Sequence, residues 1–130
     1  MRVLTVFLEP QDRARVRGIC DGAGVATQVF DTVAVTDAVL HLLSAPVDLV
    51  LADAAIPAQL FVALLRHVRR SAPDAVLLAF GEPPGEAGVA VHRALAASRG
   101  RCLPWAGLEQ AVAQVLDAAC AGRKPSCSQA

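Results

Sequence analysis

Apolar residues come along this chain in short bursts, and the spacing between them switches repeatedly between two periods. VLTVFL at 3–8, ATQVF at 26–30, VDLVLA at 47–52, AVLLAF at 75–80 and RCL at 101–103 are brief and either β-branched-rich or wholly apolar. That is the pattern of strands buried on both faces of a sheet. Helical spacing fills the intervals. Residues 12–20 set Ala14, Val16, Ile19 and Cys20 among arginines, and 36–43 opens on Thr36 as a capping residue. Residues 60–68 place Leu60, Leu64, Leu65 and Val68 on one stripe, and 85–97 forms a fourth helix. The last helix, 108–120, turns Leu108, Ala111, Val112, Val115, Leu116 and Ala119 inward and has Gly122 as its stop.

Strand and helix therefore alternate five times, with crossovers long enough to hold each helix. Right-handed βαβ connections then imply an α/β fold, a doubly wound parallel sheet covered on both faces. Ligands and chemistry in such sheets gather at the carboxyl ends of the strands. The third strand ends there in VDLVLADAAIP, where an apolar run meets a lone carboxylate, Asp53, before the chain turns at Pro57.

Composition narrows the picture without changing it. A chain of 130 residues is one domain's worth; residues 1–122 are read as that domain and RKPSCSQA at 123–130 as a tail or the start of a linker. Hydrophobic residues make up 55%, yet Pro, Gly and charges cut every run short of a membrane span. Twelve basic and twelve acidic residues cancel, so no net field favours nucleic acid or an anionic membrane. Met1 and Arg2 before VLTVFL begin like a signal peptide, but Glu9, Pro10, Gln11 and Asp12 end it without a cleavage site. The expected location is the cytoplasm. Cys20, Cys102, Cys120 and Cys127 show no C-x-x-C spacing, and His41, His67 and His92 are scattered. They read as packing thiols and isolated imidazoles, with neither metal nor cofactor implied.

DLVLADAAIP at 48–57, RVLTVFLEP at 2–10 and LPW at 103–105 together resemble the receiver domain of two-component response regulators, in a register covering residues 2–122. The resemblance implies a flavodoxin-like (βα)5 fold with strand order 2-1-3-4-5, Asp53 at the phospho-acceptor position and a cis peptide before Pro104. It also implies a site that this chain has altered. Two acids after strand one normally help the acceptor hold Mg²⁺, a cation that wants oxygen ligands; here they are Phe7 and Leu8. Glu9 would replace them only through a one-residue slip, which reverses the facing of a strand. The hydroxyl that ends strand four corresponds to Ala79, the lysine of strand five to Leu103, and the aromatic switch residue to Gly100.

Three functions follow as alternatives. The first is a pseudo-receiver, a non-enzymatic module that signals by protein contact without aspartyl phosphorylation. The second is an atypical receiver still phosphorylated at Asp53, and the third a small-ligand sensor built on the apolar rim of Phe7, Leu8, Ala79, Phe80, Leu103 and Trp105. By resemblance, self-association is expected through the fourth helix, fifth strand and fifth helix, around Val89, His92, Arg93, Leu95 and Ala96. No Ser/His/Asp set, phosphate-binding glycine fingerprint or paired carboxylates point to another enzyme.

Overall fold

The computed structural model describes residues 1–129 apart from Val25, Pro84, Glu86 and Ala87, with side chains described through Cys120. Five strands, β1 (Arg2–Val6), β2 (Gln28–Thr32), β3 (Leu49–Asp53), β4 (Val76–Phe80) and β5 (Arg101–Leu103), form one sheet. Every pairing is parallel and the order is β2-β1-β3-β4-β5, as expected. Among the described residues, four helices fill the crossovers, α1 (Pro10–Asp21), α2 (Val35–Ser44), α3 (Ala58–Ser71) and α4 (Gly88–Ala97), and a fifth, α5 (Leu108–Gln129), follows β5 through a 3-10 turn at Trp105–Gly107. Among the described residues no helix is long and apolar enough to cross a membrane.

Pleating divides the core into two layers. Leu4, Val6, Val50, Ala52, Leu77 and Ala79 face α2, α3 and α4. Val3, Leu49, Leu51, Leu78 and Phe80 face α1 and α5, where Val16, Cys20, Leu108, Val112 and Leu116 meet them. A strand with one apolar set on each face leaves no polar face, which is why the strands read as continuous apolar runs.

Local chemistry sets most boundaries, and several differ from the sequence-based expectation. α1 begins at Pro10, where a missing N–H costs nothing in the first turn. α2 starts earlier than expected: Ala34 occupies the cap position and Thr36 lies inside the helix, without a capping bond. On α3 the inward stripe is Phe61, Leu64, Leu65 and Val68, whereas Leu60 is 46% exposed; the larger Phe61 ring takes the core side. Arg69 and Arg70 close that helix where cations offset its dipole. α5 does not stop at Gly122 but continues to Gln129. Glycine and proline cost a helix about 1 and 3 kcal/mol respectively, and neither is an obligatory stop.

Candidate functional site

The carboxyl edge of the sheet is built from the residues that leave β1, β3, β4 and β5. Asp53 pairs across the ladder with Phe80, and Phe80 pairs with Leu103. This row faces α1 and α5. Ala79, expected at the position of the hydroxyl that ends strand four, lies one row before the strand's end, between Ala52 and Cys102, and faces the opposite helices. Phe80, not Ala79, is thus the immediate β4 neighbour of Asp53. A slip of one position moves a side chain to the other face of the sheet.

Asp53 is half-buried, and its Oδ1 accepts a hydrogen bond from the Ala55 N–H at 2.8 Å. This is an Asx turn, in which a side-chain oxygen takes up a backbone donor two residues on and shapes the exit from the strand. The Ile56 N–H then donates to the Asp53 carbonyl at 3.2 Å, and Ala54 N–H to the Phe80 carbonyl at 2.8 Å. The acid that ends β3 thereby organises the turn leading to α3.

β1 ends at Val6, two residues short of the expected strand, because Phe7 takes a left-handed φ of 64°. Its N–H still donates to the Thr32 carbonyl at 3.0 Å, and the residue is 39% exposed. That turn carries Leu8 inward to 3% exposure, within the layer that contains Leu51, Phe80 and Leu108, while Leu103 and Trp105 pack against the same layer from the edge. Glu9, instead of substituting for an acid at the rim, accepts a hydrogen bond from Gln11 Nε2 at 2.6 Å.

The far side of the rim is closed by aromatic packing. Trp105 stacks on Phe80 with ring centroids 5.5 Å apart and planes at 29°. Its indole edge fits because Gly81, at φ 96°, has no side chain: a Cβ there would stand 2.8 Å from Trp105 Nε1. Gly100, expected at the aromatic switch position, sits in a tight corner where a Cβ would approach Leu95 to 2.8 Å and Leu77 to 3.0 Å. No larger residue fits without displacing them.

The expected cis peptide is absent: the Leu103–Pro104 bond is trans. Pro104 has extended φ and ψ of −71° and 151°, and its carbonyl accepts from the Gly107 N–H at 3.0 Å. The corner is turned by this 3-10 turn, so the chain needs no cis bond to enter α5. The trans bond counts against the strand-five register of the resemblance; in the ladder Leu103 pairs with Phe80.

An Mg²⁺ ion does not fit these residues. Phe7 and Leu8 offer no oxygen, Leu8 lies in an apolar layer, and no cluster of three His, Cys, Asp or Glu side chains is placed to hold a metal among the described residues. Of the cysteines, Cys20 and Cys102 are free thiols whose pKa values are pushed up, chiefly by burial. Cys102 Sγ donates to the Gly81 carbonyl at 3.2 Å. A raised pKa lowers thiolate content and with it reactivity. Cys127 lies outside the described side chains.

Two polar networks near this edge were not legible beforehand. Thr5, fully buried, donates from Oγ1 to Asp31 Oδ1 at 2.6 Å, and Arg17 donates to Asp31 Oδ2 at 2.5 Å. Arg15 joins Asp12, Glu109 and the Trp105 carbonyl. The one local signal was Asp12 and Arg15 at i, i+3 on a helix.

The comparisons agree with this geometry. The chain matches no protein-family model and no curated protein. Among solved structures it superposes on a response regulator from Hahella chejuensis with TM-score 0.69 and 16% identity, over 88% of this chain and 94% of that one. The chain has the receiver fold. The signal receiver domain of an HD domain-containing protein from Pseudomonas fluorescens Pf-5 matches with TM-score 0.69 and 18% identity, over 95% and 97% of the two chains. A LuxR family DNA-binding response regulator from Silicibacter pomeroyi matches at 0.61 and 22%, over 91% and 93%. At these identities it is the receiver fold that is shared, and the rim is this chain's own.

Proposed function

We propose that this receiver-fold chain is a signalling module that acts through protein contacts, without phosphorylation of Asp53 and without catalysis. The observation that carries the reading is Leu8. Where the resemblance implies an acid to hold the metal, an apolar side chain is 3% exposed in the layer under Phe80. A phosphoryl group on Asp53 would add negative charge beside Phe80 and Leu103, with neither metal nor ammonium to neutralise it. Those two groups each stabilise such a transition state by several kcal/mol. At about 1.4 kcal/mol per decade, losing both slows transfer by several orders of magnitude. The Asx turn gives Asp53 a structural role that needs no phosphate.

The test is incubation with Mg²⁺ and acetyl phosphate, or with beryllofluoride, followed by intact mass and melting temperature. Neither should change. A gain of one phosphate mapped to Asp53, and lost when Mg²⁺ is chelated, would instead establish an atypical phosphorylated receiver.

The contact surface proposed for self-association is the outer side of α4 with β5 and α5. Val89, His92, Arg93 and Ala96 are exposed there, whereas Leu95 is buried and belongs to the core. Sedimentation showing only monomer at high micromolar concentration would remove this surface from the account. The ligand-sensor reading draws on one observation, a groove of about 720 Å³ lined by Pro83, Val89, His92, Leu103 and Trp105 among others. A bound small molecule would raise the melting temperature through mass action.

A further inference from the structure

Arg15 directs two of its three guanidinium nitrogens at the corner where the chain passes from β5 into α5. Its Nε donates to Glu109 Oε2 at 2.7 Å, and a terminal nitrogen donates to the other oxygen of the same carboxylate, making a two-pronged pair. That terminal nitrogen also donates to the Trp105 carbonyl at 3.1 Å, while its twin donates to Asp12 Oδ1 at 2.9 Å. Bidentate pairing adds geometric specificity to charge. Glu109 is held at a pKa of about 2 by the Arg15 hydrogen bond, and the guanidinium is raised in turn, chiefly by Glu109.

Trp105 is therefore gripped from two directions. Its backbone is tied to α1 by Arg15, and its indole is seated on Phe80 and in the space left by Gly81. Under that indole lies the apolar layer of Leu8 and Phe80, and beside it the groove of about 720 Å³ that Trp105 helps to wall. We infer that Arg15 is a positioning residue, an ionic latch between α1 and α5 that holds Trp105 down on Phe80 and keeps the strand-end rim closed. Opening the latch frees the corner to move as a local unit, uncovering the Phe80 face and reshaping the groove. The inference is independent of whether Asp53 accepts a phosphoryl group, since it concerns the resting position of the corner alone.

Ion pairs as exposed as Arg15 and Glu109 add little to global stability. Removing the latch should thus move Trp105 far more than it moves the unfolding midpoint. The chain has one tryptophan and no tyrosine, so its fluorescence reports this corner. The experiment measures iodide quenching and emission maximum under native conditions for wild type, Arg15→Ala, Arg15→Lys, Glu109→Gln and the control Arg17→Ala, with unfolding followed by circular dichroism. Arg15→Ala is expected to raise the quenching constant about two-fold and shift emission to the red, as a half-buried ring opens locally. Arg15→Lys, a point charge without the fork, should fall between it and wild type. Arg17→Ala should match wild type. Should Arg15→Ala fail to fold, Arg15→Lys and Glu109→Gln decide. Wild-type quenching in the folded Arg15 and Glu109 variants, or an equal rise in Arg17→Ala, would overturn the latch.

Discussion

Asp31 on β2 and Asp53 on β3 flank β1 from its two sides, and each lies near the carboxyl edge of the sheet. Asp31 is held by tertiary partners: a buried threonine hydroxyl from β1 and a guanidinium from α1. Burial pushes its pKa up, but the Thr5 and Arg17 hydrogen bonds outweigh that and hold it below the usual carboxylate value. Asp53 keeps its place through the backbone two residues on, and its β4 neighbour is a phenylalanine. A carboxylate persists in this edge when something satisfies it, and the two solutions differ in reach. One ties three elements together. The other shapes a single turn.

Making the Asp53 side polar again should produce the largest effect. Leu8→Asp removes a buried leucine and places an unpaired charge against Phe80, an expected loss on the order of 3–5 kcal/mol in urea unfolding. A near-neutral result would show that the floor opens readily to water and would erase the contrast. Next in size is Asp31→Ala, which strands the buried Thr5 hydroxyl and releases the exposed Arg17 guanidinium to solvent. Unfolding free energy should fall by about 1.5–3 kcal/mol. Combining it with Thr5→Val should cost less than the two single losses added, because both break one shared bond.

Acid titration sharpens the comparison further. The folded pKa of Asp31 lies below its ordinary value of 3.8, so its contribution is complete above that value and disappears as pH falls through the lower, folded one. Wild type should lose part of its stability on that limb, and Asp31→Asn should show a shallower slope in melting temperature between about pH 5 and 2. The smallest effect is expected from Asp53→Asn. The amide oxygen can still accept from the Ala55 N–H, so stability should remain within about 0.5 kcal/mol of wild type. Asp53→Ala loses the turn bond and should cost about 1 kcal/mol. A larger loss in Asp53→Asn would mean the charge itself matters at that position.

Much of the molecule was decided by local pattern. Five apolar bursts separated by helical spacing were enough for a doubly wound parallel sheet, because strands buried on both faces and amphipathic helices leave different periodicities in the chain. The same pattern put Asp53 at a strand exit and left Phe7, Leu8 and Leu103 without polar atoms to offer. What the chain could not decide alone was facing and distance. Ala79 and Phe80 are neighbours in sequence, and only the ladder shows that Phe80 stands across from Asp53, since a period of two makes a one-residue shift invisible to composition. Leu60 and Phe61 exchange sides of α3 for a comparable reason: rotating the stripe by one residue preserves its spacing, and the core selects the ring that fills it. The trans Pro104 step follows from the 3-10 turn that closes the corner, a geometry set jointly by β5 and α5. Arg15 meets Glu109 across 94 positions of chain, and Thr5 meets Asp31 across 26. Neither pair leaves a local signature, because a through-space hydrogen bond depends on which helices and strands the sheet order places side by side, and that order exists only once the chain has folded.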